Sequence, residues 1–167
     1  MAHSQSQKPP EIYVDENFCP GEGCQFGEWK VIKEISVYDQ PNGQRIVGKL
    51  QPGKLIRALT GNVYVKPVPV VVLYPKNDFR KGETFYLLSN VGEGIVKTWR
   101  SGKIGEVDYE GISGLWDHNC TNVSAKCWAR TEAREISQVW WVKIESSDLK
   151  GWIKDPSANV EGSDRFE

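Results

Sequence analysis

The sequence lacks most of what would assign it to a familiar functional class. Its longest apolar run, Val68 to Tyr74, is broken by Pro69 and falls far short of the ~18–20 residues a membrane span needs. That run reads as a buried strand. Charge of one sign is missing too: 21 Lys and Arg stand against 22 Asp and Glu, a formal net charge of -1. Without a basic footprint, nucleic acid is not expected as a partner. Histidine is scarce, with only His3 and His118 in 167 residues. There is no Gly-x-Ser-x-Gly, no phosphate-cradling loop and no His-Glu-x-x-His. No stretch sustains a helical period, although "SAKCWARTEAREI" has room for one short turn. Methionine occurs once but tryptophan seven times, a balance suited to small β-structures whose thin cores are filled by large rings. The rest, 39% hydrophobic and 26% charged, is ordinary globular composition. The length allows one generous domain or two small ones.

The N-terminal "MAHSQSQKPP" has neither a basic n-region nor an apolar h-region, so it does not read as a signal peptide. The chain is then either cytosolic or a mature secreted protein with an added initiator Met. Four cysteines decide between these, in two close pairs: Cys19 with Cys24 around Pro-Gly-Glu-Gly, and Cys120 with Cys127. A zinc site would favour shorter gaps with histidine support, and a redox motif would have two intervening residues. Neither pair fits. Local pairing across turn-forming residues fits two short-loop disulfides in an oxidising compartment, with Pro20, Gly21 and Gly23 turning the chain back tightly. No metal and no cofactor are expected. The address is secreted or periplasmic.

Along the chain, residues 1–18 read as a flexible N-terminal tail, polar at first and containing Pro9-Pro10. From Trp29 the pattern alternates as a strand does, and "EWKVIKEISVYDQPNG" ends in a Pro41-Asn42-Gly43 turn. "IVGKL" and "KLIRALTG" follow, separated by Pro52-Gly53, and "NVYVKPVPVVVLY" closes the first half. A second β unit begins at "DFRKGETFYLLSNVGEGIVKTWRSGK", with bends at Gly92-Glu93-Gly94 and Ser101-Gly102. An irregular insertion near 107–135 carries the second cysteine pair. The β pattern returns in "VWWVKIESSDLKGWIKDP", a hairpin turning near Ser147-Asp148. The expectation is an all-β chain of two small barrels in tandem, residues 19–76 and 77–160.

"WWVKI...GWI" resembles the closing strands of bacterial SH3-like domains, in which a hairpin leads into Gly-Trp and a final short strand. "VYDQPNGQRIVGKLQPGKLIRAL" is similar to their opening. With Cys19-Pro20, Cys24 and Phe26-Gly27-Glu28-Trp29 at its start, the chain resembles secreted bacterial proteins with paired SH3-like units. The resemblance covers most of residues 19–160. It implies two SH3-like barrels and leaves the ligand open, because such barrels host many ligands.

No catalytic residue is expected. A cell-wall hydrolase would need a thiolate beside a positioned histidine. His118 lies two residues before Cys120, but a disulfide would consume that thiol. Aromatic rings are the better candidates, because shallow aromatic grooves accept extended peptides. Tyr86, Trp99, Trp140 and Trp141 are the expected groove residues. Adjacent Trp140 and Trp141 must face opposite sides of their strand, so one is expected inside and the other outside, over a ligand or over the other barrel. The function expected is that of a non-enzymatic module binding a peptide, peptidoglycan or an envelope protein. The alternative is a structural or regulatory protein with no groove.

Overall fold

A computed structural model describes residues 8–20, 23–108, 123–124 and 127–164. Among the described residues the elements are strands apart from one 3-10 turn at Pro156–Ala158. The strands are β1 (Tyr13–Asp15), β2 (Gly27–Val31), β3 (Ile35–Tyr38), β4 (Ile46–Leu50), β5 (Leu55–Val65), β6 (Val68–Val72), β7 (Thr84–Gly92), β8 (Ile95–Arg100), β9 (Lys103–Asp108), β10 (Ala129–Arg130), β11 (Gln138–Glu145), β12 (Lys150–Lys154) and β13 (Val160–Glu161). The described chain is all-β, as its alternating pattern implies.

The strands form two sheets. One is eight-stranded and curled, in the order β13-β2-β5-β11-β12-β3-β4, with β1 also pairing with β5. The other is five-stranded, in the order β10-β6-β7-β8-β9. The chain divides accordingly into two compact units. One joins Val14–Tyr64 with Val139–Glu167, and the other joins Val65–Gln138 with Tyr13 and the described residues before it. The first of these is discontinuous: β11 and β12, which the sequence groups with the strands after residue 77, lie in one sheet with β2 to β5. The expected break at Lys76-Asn77-Asp78 is instead a turn inside the five-stranded unit, with Asn77 at φ 53° and Lys76 bridged to Phe79. Residues 13–18, expected within the tail, are also built into the fold. Asp15 is buried, the Asn17 N–H donates to Asn62 Oδ1, and the Phe18 N–H donates to the Gly61 carbonyl.

The core of the discontinuous unit gathers Trp29, Val31, Val37, Ile56, Val63, Trp140, Val142, Ile144 and Ile153. Alternation brings Trp29 and Val31 on β2, and Trp140, Val142 and Ile144 on β11, to the core face, whereas along β5 the buried positions change phase between Ala58 and Gly61, so that Ile56 and Val63 both join the core. Gly151 is required there for space, because a Cβ on it would meet the Tyr38 carbonyl and lie 2.6 Å from Val37 Cγ1. Cys19 and Cys24 are bonded to each other and pack against this core. Cys127 is disulfide-bonded, and Cys120, its expected partner, lies outside the described residues, as does His118.

The five-stranded unit has a smaller core of Val68, Val70, Val72, Phe85, Leu87, Val96 and Trp128. Phe79, Phe85 and Trp128 pack ring on ring, with centroids 4.6 to 5.9 Å apart. Its hairpins use the turn residues the sequence shows. Ser101 and Gly102 both have positive φ, 51° and 80°, as a two-residue loop joining β8 to β9 needs.

Candidate functional site

Alternation puts Val68, Val70, Val72, Phe85, Val96 and Thr98 on the inner face of the five-stranded sheet. The residues between them face outward. Cross-strand register then aligns Pro69 with Tyr86, Tyr86 with Trp99, and Trp99 with Ile104. Directly opposed residues share a face, so these four form one row across β6, β7, β8 and β9. Pro69 is exposed, Tyr86 and Trp99 are half-buried, and Ile104 is 48% exposed. Val71 adds a second exposed apolar side chain beside Pro69 on the same face.

That row depends on irregular pairing. Gly92 lies opposite Ile95, and unbroken antiparallel register from there would set Trp99 opposite Leu88. Two register shifts, between Leu87 and Asn90 and between Asn90 and Gly92, bring it opposite Tyr86 instead. Such bulges re-aim side chains. Here they align two aromatic rings on the outer face and leave Leu88 fully buried. Below this row on the same face, Lys97 lies opposite Glu106, and its Nζ sits 5.8 Å from the centre of the Tyr13 ring.

The expected groove residues therefore separate. Tyr86 and Trp99 are brought together, whereas Trp140 and Trp141 belong to the discontinuous unit. The expectation that one of that pair faces outward is corrected: both are only 3% exposed. They do point to opposite sides of β11, but both sides are covered. Trp140 packs at 5.9 Å on Trp29 and 6.3 Å on Phe26, and its indole N–H donates to the Phe18 carbonyl at 3.1 Å. Trp141 meets Tyr38 edge-on at 5.3 Å, and its indole N–H donates to Asn42 Oδ1 at 3.0 Å. Asn42 is the turn residue of Pro41-Asn42-Gly43, held at φ 58°. The turn that ends β3 thus supplies the polar partner for Trp141. Trp140 also borders a small depression of about 130 Å³ beside Cys24, Ser157 and Ser163, while Trp141 is covered by Tyr38 and Asn42.

On the inner face, beyond the apolar core, Arg100 sits over the Phe79 ring at 4.5 Å and pairs with Glu83 and Asp78. Its guanidinium also donates to the Asp78 carbonyl at 2.7 Å. Burial alone would raise the Glu83 pKa, but hydrogen bonds from Arg100 and from the Arg80 N–H outweigh it and hold the carboxyl below its ordinary value. Arg100 is correspondingly held more firmly protonated, chiefly by its hydrogen bond to Glu83. Both groups border an open depression of about 760 Å³ that also touches Arg80, Lys103 and Glu106. Its charges compensate one another, so this cluster acts as a clamp on the β7–β8 end of the sheet. Among the described residues, no group of three or more His, Cys, Asp or Glu is placed to hold a metal ion, and no helix is long and apolar enough to cross a membrane.

No protein-family model, curated protein or solved structure matches the chain.

Proposed function

We propose that the chain is a non-enzymatic binding module of SH3-like architecture that works outside the cytoplasm and recognises a peptide, a cell-wall component or an envelope protein. The observation that carries this reading is the row of Pro69, Tyr86, Trp99 and Ile104, held on a rigid sheet and partly open to solvent. Aromatic rings presented this way offer flat apolar area at little cost in side-chain entropy, and they accept extended ligands. A platform this small binds with modest affinity. The SH3-like reading is supported in the discontinuous unit by the order of its closing elements. There the β11–β12 hairpin carries Gly151-Trp152 and leads through the Pro156–Ala158 turn into the short strand β13. The extracytoplasmic reading is supported by the Cys19–Cys24 bond, which persists where thiols are kept oxidised.

A second reading, a scaffold with no ligand groove, is favoured by the deep burial of Trp140 and Trp141. The two readings part in one experiment. Wild-type protein and the Tyr86→Ala and Trp99→Ala variants are tested for retention on purified peptidoglycan and for capture of proteins from envelope extract. The binding module predicts specific retention that each substitution lowers at least about fivefold while the far-UV spectrum stays unchanged, as expected for aromatic contacts at a binding surface. Retention that is absent, or that ignores both substitutions, favours the scaffold.

A further inference from the structure

We infer that Asn42 is a site of spontaneous covalent modification, at which its side-chain amide closes on the Gly43 nitrogen with loss of ammonia, and that the Trp141 indole sets the rate by holding the turn shut. The inference concerns the discontinuous unit and holds whether or not a ligand binds elsewhere.

The sequence places the two reacting groups side by side. Asn42 is the one asparagine followed by glycine, and every other asparagine precedes a residue whose side chain crowds the amide nitrogen. The step is intramolecular, so it needs no enzyme and no co-reactant but water. The Gly43 amide nitrogen gives up its proton to solvent and attacks Asn42 Cγ. A Cγ–N bond forms, the Cγ–Nδ2 bond breaks, and the leaving nitrogen takes up a proton to depart as ammonia. Water then opens the five-membered imide at either carbonyl, leaving aspartate or, as the main product, isoaspartate.

The fold itself requires this reactive pair. Gln40 to Gly43 make a turn in which the Gly43 N–H donates to the Gln40 carbonyl at 3.0 Å. Pro41 takes the second position and Asn42, at φ 58°, the third, which is the arrangement of a type II turn and favours glycine or asparagine there. Asparagine also supplies the acceptor for Trp141. Position 43 needs glycine, because a Cβ would lie 2.8 Å from both Asp39 Oδ1 and the Gln40 carbonyl oxygen. Asn42 is exposed, so water reaches it.

The same hydrogen bonds restrain the reaction. The attacking nitrogen is engaged by Gln40, and the Asn42 side chain by the Trp141 indole at 3.0 Å. Ring closure must wait for the turn to open, and surface turns open at low cost in free energy. Isoaspartate does not rebuild what is lost. It routes the main chain through the former side-chain carbonyl and adds a methylene to the backbone, so the acceptor leaves the indole. It also adds one negative charge to a chain of formal net charge -1. Trp141 then keeps the Tyr38 ring and loses the polar half of its cover.

The test ages the folded full-length chain at neutral and mildly alkaline pH. Each asparagine is followed by peptide mapping with electron-transfer fragmentation, which separates isoaspartate from aspartate. Wild type is compared with its own urea-unfolded chain and with Trp141→Phe and Trp140→Phe. Both variants keep a ring and lose an indole N–H, but only the first releases Asn42. The inference predicts that folded wild type converts Asn42 at least about tenfold faster than any other asparagine, because glycine alone lacks a Cβ. The product is mostly isoaspartate, and the rate is lower than in urea. Trp141→Phe should convert at least about threefold faster than Trp140→Phe, as the loss of one hydrogen bond implies. Asn42 converting no faster than other asparagines in the folded chain, or giving aspartate without isoaspartate, overturns the inference. So do equal rates in the two folded variants. A folded wild type that converts as fast as the urea-unfolded chain overturns the restraint without recourse to any variant.

Discussion

Replacing Trp141 by Ala is the sharpest perturbation available in the discontinuous unit, because a groove and a scaffold predict opposite outcomes. The ring is 3% exposed, meets Tyr38 edge-on at 5.3 Å, and donates its indole N–H to Asn42 Oδ1. Removing a buried Trp costs about 3–5 kcal/mol in transfer and cavity terms. Loss of the edge-to-face pair accounts for about 0.5–1.5 kcal/mol of interaction beyond burial, and the freed Asn42 oxygen loses a hydrogen bond of about 1 kcal/mol unless water reaches it. The total is a large fraction of the roughly 5–15 kcal/mol that holds a typical domain together. Trp140→Ala removes an equally buried ring and leaves the Phe18 carbonyl without its indole partner, so the same range applies. Urea unfolding followed by fluorescence and far-UV circular dichroism reads both variants, with Trp99→Ala as a comparator costing under about 2 kcal/mol because its ring is only half-buried. If Trp141→Ala moves the midpoint by less than the equivalent of about 0.5 kcal/mol, typical of an exposed site, the reasoning fails and the ring is at the surface.

Other expectations follow from the same physics. Cys19→Ser with Cys24→Ser lowers stability by about 2 kcal/mol, since the bond closes a loop between residues only 5 apart in sequence; unchanged denaturant midpoints would show that the staple is dispensable. Gly151→Ala forces a Cβ against the Tyr38 carbonyl and Val37, and should cost about 1–3 kcal/mol, visible as a lower melting temperature. The lowered pKa of Glu83 means that the folded state binds its proton less readily than the unfolded chain. Its stabilising contribution is therefore full above the ordinary carboxylate range and is lost as pH falls through the lower folded value. Glu83→Gln should accordingly flatten the acid limb of a stability–pH curve, and an unaltered limb would show that the Arg100 clamp is not the acid-sensitive element.

Local chemistry was legible and long-range pairing was not. Pro41-Asn42-Gly43, Gly92-Glu93-Gly94 and Ser101-Gly102 mark turns because Asn, Ser and Gly accept the positive φ those turns require. Strand alternation placed Trp140 and Trp141 on opposite faces of β11. It carried no information about what covers the outer face, which depends on Tyr38 and Asn42 about a hundred residues earlier. The pairing of β11 with β5 leaves no local mark either. A break read from polar turn residues at 76–78 therefore competed with a division lying inside three continuous strands, β1, β5 and β11. Tyr86 and Trp99 could be named from their strands, but their opposition depends on two bulges that the Ser89-Asn90-Val91 sequence does not announce. Residues 13–15 read as tail because three residues are too few to show a period, yet they suffice to add a strand to β5.

The central claim is that the outer face of the five-stranded sheet is the binding surface. An isotope-labelled full chain titrated with soluble peptidoglycan fragments, and separately with extended peptides, tests it residue by residue. The account predicts saturable shifts, from at least one of the two ligands, confined to Tyr86, Trp99, Ile104, Lys97 and their immediate neighbours. Saturable shifts centred on the other unit, or none from either ligand at mM concentration, would contradict it.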